Sequence, residues 1–239
     1  MISVMLLEIC TNSLQSAKAA CLGGAKRVEL CQDLASGGIT PSAGLIDYCV
    51  HQLGLETRVL IRPRSGNFTY STDELEVIAR DIEMCRQIGA AAVVIGFLNE
   101  TGAIDVETTR RMVELAAPME VTFHRAFDAC CSPFEALEQL IACGCHKLLT
   151  SGCAPSAIEG AATIRQLVQQ SRGRIDIIAA AGITPYNVLQ VVEATGVNEV
   201  HGSCKRAGNP TDGGTNLFPF TESVTDEQQV RQMVSLLNI

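Results

Sequence analysis

Short apolar runs begin near Leu6, Arg27, Arg58, Ala92, Glu120, Lys147, Ile175 and Glu199, and an amphipathic stretch separates each run from the next. Apolar runs of roughly four to eight residues bounded by turn signals read as buried strands, while spacing near 3.6 reads as helix. Eight such units in succession restrict the chain to one architecture: an α/β fold, a (β/α)8 TIM barrel, in a single domain spanning residues 1–239. The length agrees, because such barrels typically run to about 250 residues. Side chains that act on ligands then belong at the C-terminal ends of the strands, where barrel enzymes carry their sites.

Caps and breakers punctuate the units consistently. Ser13 precedes the first helix, Ser71 or Thr72 with Glu74 forms a capping pattern before the third, and Ser132-Pro133 opens the fifth. Gly23-Gly24, Gly54, Gly89, Gly144 and Gly196 fall where helices should stop. The last segment, Asp226 to Leu237, puts Val230, Met233, Val234 and Leu237 on one helical face, with Thr225 as the expected N-cap. Between Lys205 and Val224 the chain loses any period and turns rich in Gly, Pro, Asn and Thr, which predicts a loop over the barrel mouth.

Composition excludes several function classes. With 18 Lys plus Arg against 26 Asp plus Glu the formal charge is −8, which disfavours nucleic acid and anionic membranes as partners. No apolar run approaches the roughly 18 residues of a membrane span, and Met1-Ile2-Ser3-Val4 lacks the basic region of a signal peptide, so the expected location is cytoplasmic. Eleven cysteines, an odd number, are expected to stay thiols in that reducing compartment.

The strand ends collect a dense polar set. Side chains alternate along a strand, so Glu8 shares a face with Cys10, and Glu29 with Cys31. The third strand contributes Arg62 and Arg64, the fifth His124, Arg125 and Asp128, the sixth Ser151 and Cys153, and the eighth His201, Ser203 and Cys204. One reading is purely structural: Glu8 and Glu29 pair with Arg62, Arg64 or Arg125 to close the barrel top, Asp128 caps a turn and His124 satisfies a buried contact. The other is functional. The string Thr122-Phe123-His124-Arg125-Ala126-Phe127-Asp128 joins an imidazole, a permanent cation and a carboxylate where a strand ends, a set suited to proton transfer and to holding an anion.

The runs Leu7-Glu8-Ile9-Cys10, Arg27-Val28-Glu29-Leu30-Cys31, Gly37-Gly38-Ile39-Thr40-Pro41-Ser42, Ile61-Arg62-Pro63-Arg64, Thr122 to Asp128 and Leu149-Thr150-Ser151-Gly152 closely resemble the copper homeostasis protein family CutC. The resemblance implies a cytosolic barrel described as a copper-binding or copper-tolerance protein and a homo-oligomer, and it carries the family's proposed copper ligands onto Cys10 and Cys31. Residue chemistry is compatible: Cu(I) prefers soft thiolates, and the two cysteines end adjacent strands that run roughly 4.8 Å apart. Ala179-Ala180-Ala181-Gly182 stands where the family often has a glycine run, so a backbone cradle for an anion is not expected there.

The rival expectation is an enzyme acting on a small anionic metabolite, with no organic cofactor. Arg62, Arg64 and Arg125 would bind a phosphate or carboxylate, His124 or His201 would serve as general acid or base, and Glu8, Glu29 or Asp128 would orient a group or take a proton. Ser151, Gly182 and Ser203 would add polar contacts, the latter two where this fold often seats phosphate. Cys143-Gly144-Cys145-His146 has the look of a metal clip, but falls between the fifth helix and sixth strand, at the end of the barrel that carries stability.

Overall fold

A computed structural model describes residues 5–207 and 223–239. Eight strands close into one parallel barrel in chain order: β1 (Leu6–Thr11), β2 (Arg27–Leu30), β3 (Glu56–Leu60), β4 (Ala92–Ile95), β5 (Glu120–Phe123), β6 (Lys147–Thr150), β7 (Asp176–Ala179) and β8 (Glu199–Gly202), with β8 pairing back onto β1. Helices cover the outside: α1 (Leu14–Leu22), α2 (Ala43–His51), α3 (Thr72–Ile88), α4 (Val106–Ala116), α5 (Pro133–Cys143), α6 (Ala161–Ser171), α7 (Val188–Thr195) and α8 (Glu227–Leu237). Among the described residues no helix is long and apolar enough to cross a membrane.

The caps fall largely where the sequence puts them. Ser13 accepts from the Ser16 amide, Ser71 and Glu74 form a reciprocal capping box, and Gly89, Gly144 and Gly196 end their helices in left-handed conformation. Thr225 is a correction. It lies in a two-stranded ribbon, β9 (Lys205–Arg206) with β10 (Val224–Thr225), and Asp226 caps α8 by accepting from the Gln228 and Gln229 amides. A carboxylate one residue on both caps the helix and complements its dipole, so it displaces the threonine. Most of the loop expected over the mouth, residues 208–222, lies outside the described residues.

Strand alternation sorts the side chains into two environments. Outward residues such as Ile9, Val28, Val59, Ile61, Val93, Ile95, Val121, Phe123, Leu148, Ile177 and Val200 join helix residues such as Ile78, Ile82, Met112, Leu137, Leu167 and Val191 in the main apolar core. Inside the barrel only small apolar groups form, Cys10, Cys31, Leu60 and Val94 on one side and Leu149, Ile178 and Ala180 on the other. Ions fill the rest. Arg58, 1% exposed, bonds Glu120 at 2.6 Å and Glu56 at 3.0 Å, with its Nε 3.5 Å from Glu8. Glu199 joins Arg27, at 2.8 Å, to Lys147, which also holds Asp176 at 2.9 Å.

Such a network holds only while its charges are matched, because an uncompensated buried ion keeps its desolvation cost and loses its attraction. Arg58→Ala is expected to lower the unfolding free energy by about 3–5 kcal/mol, read as a fall in urea midpoint. Arg80→Ala, which breaks the exposed pair with Glu76 on α3, should cost about 1 kcal/mol or less.

Candidate active site

Register builds the floor of the site. Glu8 pairs across to His201, and Cys10 pairs across to Glu29, so three adjacent strands bring a thiol, two carboxylates and an imidazole to one place inside the barrel. Glu8 Oε1 lies 2.8 Å from His201 Nδ1, and its other oxygen faces Arg58. Burial opposes charge on His201, yet the Glu29 carboxylate, the contact with Cys10 and the bond to Glu8 outweigh it and hold the imidazolium well above its ordinary 6.5. Burial likewise works to raise Glu8, but the His201 bond and charge, with Arg58 and Arg27, keep its carboxyl below the ordinary value. Glu29 differs: burial pushes it up to about 7, and Oε2 has no hydrogen-bond partner among the described residues.

The expected pairing of Glu8 and Glu29 with Arg62, Arg64 or Arg125 is therefore not found. Glu8 is taken by Arg58 and His201, and Glu29 makes no ion pair among the described residues. Position along the strand explains the difference: Arg58 lies within β3, level with Glu29 and 3.5 Å from Glu8, whereas Arg62 and Arg64 emerge past the end of β3.

Above this floor opens a cavity of about 610 Å3, lined among others by Cys10, Glu29, Arg62, Phe68, His124, Arg125, Gly182, His201 and Ser203. Arg62 is 5% exposed; its terminal nitrogens donate to the carbonyls of Gly38, at 2.9 Å, and Gly66, at 2.8 Å, while its plane lies over Phe68. Its Nε is buried without a hydrogen-bond partner among the described residues. His124 packs against the same Phe68 ring, and its Nδ1 accepts the Ala126 amide at 3.0 Å. Burial and the nearby Arg62 charge pull the imidazole down to about 3, so the ring is neutral and its proton sits on Nε2, also buried without a hydrogen-bond partner among the described residues. The ring fits because β4 is followed by Gly96: a Cβ there would stand 2.2 Å from His124 Cε1.

The other candidates separate. Arg125 donates to Asp128 at 2.8 Å and to Ser151 Oγ at 3.1 Å, and reaches the cavity rim. Asp128 accepts from the Ser151 and Cys153 amides and from the Thr150 and Ser151 hydroxyls, which ties the turn after β5 to the end of β6; neither it nor Ser151 lines the cavity. Arg64 turns away to Glu74 and the carbonyls of Asn67 and Thr69, stacked on Tyr70. Ala181 lines the cavity at φ +78°, as does Cys204 at φ +44°, two left-handed residues that carry a Cβ and so hold strain at the mouth.

Cys10 and Cys31 meet as the strand spacing suggested, with sulfurs 4.0 Å apart. The hydrogen bond to Cys31 and burial raise the Cys10 thiol well above 9.0. Among the described residues, one group of three His, Cys, Asp or Glu side chains lies within ion-binding reach: Cys10, Glu29 and His201, with ligand atoms within 4.8 Å of one another. The Cys143-Gly144-Cys145-His146 segment forms no such group; His146 Nδ1 accepts the Val121 amide at 3.1 Å.

The family model for CutC matches residues 5–206, which include every strand of the barrel. The chain belongs to the CutC family. It is 42% identical over 243 aligned positions to a family protein CutC of Porphyromonas gingivalis, covering 98% of each chain, and 47% identical to one of Vibrio cholerae, covering 97% and 95%. Among solved structures it resembles a CutC of Streptococcus agalactiae, named for copper homeostasis, at TM-score 0.79 and 32% identity, over 83% of this chain and 98% of that one.

Three residues that shape this CutC-family site escape a reading confined to strand ends. Arg58 was legible in principle, because Arg58, Leu60 and Arg62 alternate onto one face, and the cation deepest in the barrel compensates the floor. Gly96 and Phe68 carry no such signal, since their value lies in the close approach of one ring.

The buried neutral His124 makes stability depend on pH. Its folded value, about 3, lies below the unfolded 6.5, so on acidification the unfolded chain takes up a proton first and stability falls as pH drops from 6.5 toward 3. In His124→Gln the loss between pH 6 and 4 should be smaller by about 1.4 kcal/mol per pH unit, measured by urea unfolding at each pH; an unchanged slope would contradict a neutral buried imidazole.

Proposed function

We propose that this CutC-family protein binds a small organic anion, bearing a phosphate or a carboxylate, in the mouth cavity and performs acid–base chemistry on it. The observation that carries the reading is that Arg62 and His124 line one cavity and that each keeps a buried N–H donor, Nε and Nε2, without a hydrogen-bond partner among the described residues. A buried donor left unmade costs on the order of 1–3 kcal/mol, more when charged, and a ligand oxygen reaching either donor would recover that cost. The cavity volume, about 610 Å3, falls in the ordinary range for metabolite pockets. A neutral His124 donates without surrendering its proton, which suits it to stabilise a developing oxyanion rather than to act as the base. The floor opposite supplies exchangeable protons from Cys10, Glu29 and His201, and Arg125 adds a cation at the rim. All eleven cysteines are free, which supports placing the protein in the reducing cytoplasm.

The 4.0 Å approach of Cys10 and Cys31 favours a second reading, Cu(I) held between two sulfurs. The raised Cys10 thiol means that such binding must expel a proton.

Calorimetric titration of the metal-free protein with inorganic phosphate and with oxalate tests the first reading. Arg62→Lys and His124→Gln, checked for native circular dichroism, should each weaken binding by about tenfold; no binding to wild type, or full affinity in both variants, would refute it. An anaerobic Cu(I) titration against a competing chelator tests the second: tight binding must disappear in the Cys10→Ser/Cys31→Ser double variant.

A further inference from the structure

We propose that Cys10, Glu29 and His201 form a three-ligand site for a divalent transition-metal ion of the zinc class, open on its fourth side to the mouth cavity. The ligand atoms lie within 4.8 Å of one another and come from three adjacent strands, β1, β2 and β8, whose hydrogen-bonded register fixes their spacing. Three protein ligands with one position left for water or substrate is the usual arrangement of a working zinc centre. All three line the cavity, so the fourth position has somewhere to face.

Two further observations point the same way. Glu29 is 6% exposed, and its Oε2 is buried without a hydrogen-bond partner in the described structure, an acceptor that a cation would satisfy. His201 Nδ1 is engaged by Glu8 at 2.8 Å, which leaves Nε2 as the ring nitrogen open to an ion. A histidine ligand oriented by a carboxylate through its other nitrogen is the outer arrangement that metal sites use, and here Arg58 holds the carboxylate in turn. The charges also close. A dication balances the Cys10 thiolate and Glu29 carboxylate, with His201 neutral, while Glu8 keeps Arg58 beside it at 3.5 Å. The donor set of one sulfur, one oxygen and one nitrogen suits a borderline divalent ion better than Cu(I), which favours paired soft sulfurs such as Cys10 with Cys31.

The site stands on the floor cluster itself and rests on the anion-binding reading only for what its open position would meet. With an ion seated, Glu29 is a ligand, and the exchangeable proton at the floor belongs to the water bound beside it.

Titration of reduced, metal-free protein with Co2+, followed by displacement with Zn2+, tests the proposal without any anion present. One equivalent should give the intense visible bands of four-coordinate Co2+ and a thiolate-to-cobalt band in the near ultraviolet, both bleached by Zn2+. Cys10→Ser should abolish the thiolate band. Glu29→Gln and His201→Gln should weaken Co2+ by tenfold or more, and Glu8→Gln, which touches no ion, by about 10–100-fold; Cys31→Ser should bind as wild type. Absence of the bands in the wild type, their survival in Cys10→Ser, or unaltered affinity in both Glu29→Gln and His201→Gln would overturn the proposal. Equal loss in Cys31→Ser would overturn it too, by moving the ion to the sulfur pair. Because phosphate and oxalate binding is read on metal-free protein, either proposal can fail while the other stands.

Discussion

Arg58 inside the barrel is the charge on which the rest of the interior depends. It sits almost wholly out of water, yet it meets Glu8, Glu56 and Glu120, and Glu8 in turn bonds His201. A TIM barrel is ordinarily filled by branched apolar side chains in layers. This chain spends its outward residues on that packing and reserves the inside for ions, so the interior must be electrically matched rather than merely full. The order of charges along the axis follows: a compensated network at the lower end, a floor of Cys10, Glu29 and His201 above it, and open space above that.

The mouth cavity inherits a polarity from this arrangement. Its floor carries the groups that gain and lose protons, Glu29 near 7 and an imidazolium stabilised by carboxylates. Its wall carries N–H donors, Arg62 and a histidine kept neutral by burial beside that cation. Two histidines of one cavity thus stand in opposite protonation states, set by whether a carboxylate or an arginine is the neighbour. Such separation of roles among titratable groups is the usual mark of a working site.

The fold was legible because eight hydrophobic runs and their caps each signal locally, and closure of the barrel follows from their number. The membership of the site was legible in part for the same reason: residues at strand ends must face the mouth, which brought Cys10, Glu29, Arg62, His124 and His201 together. Pairing was not legible. Alternation gives the face of a residue but not its height in the barrel, so Glu8 was matched in expectation to arginines that lie above it rather than to Arg58 beside it. Arg64 and Asp128 share the strand-end positions yet are consumed by Glu74 and by the turn after β6, contacts that depend on loop geometry. Thr225 shows the same limit at a cap, where the neighbouring Asp226 wins.

The central requirement is that the Glu29 and Glu8 carboxylates, with Cys10, hold His201 as an imidazolium in the metal-free protein. Nitrogen-15 chemical shifts of its ring, followed from pH 6 to 9, measure this directly. The account predicts both ring nitrogens protonated throughout neutral pH, with the change displaced well above the ordinary 6.5 and restored toward it in Glu8→Gln. A ring that is neutral at pH 7.5, titrating near 6.5 and indifferent to Glu8→Gln, would contradict it.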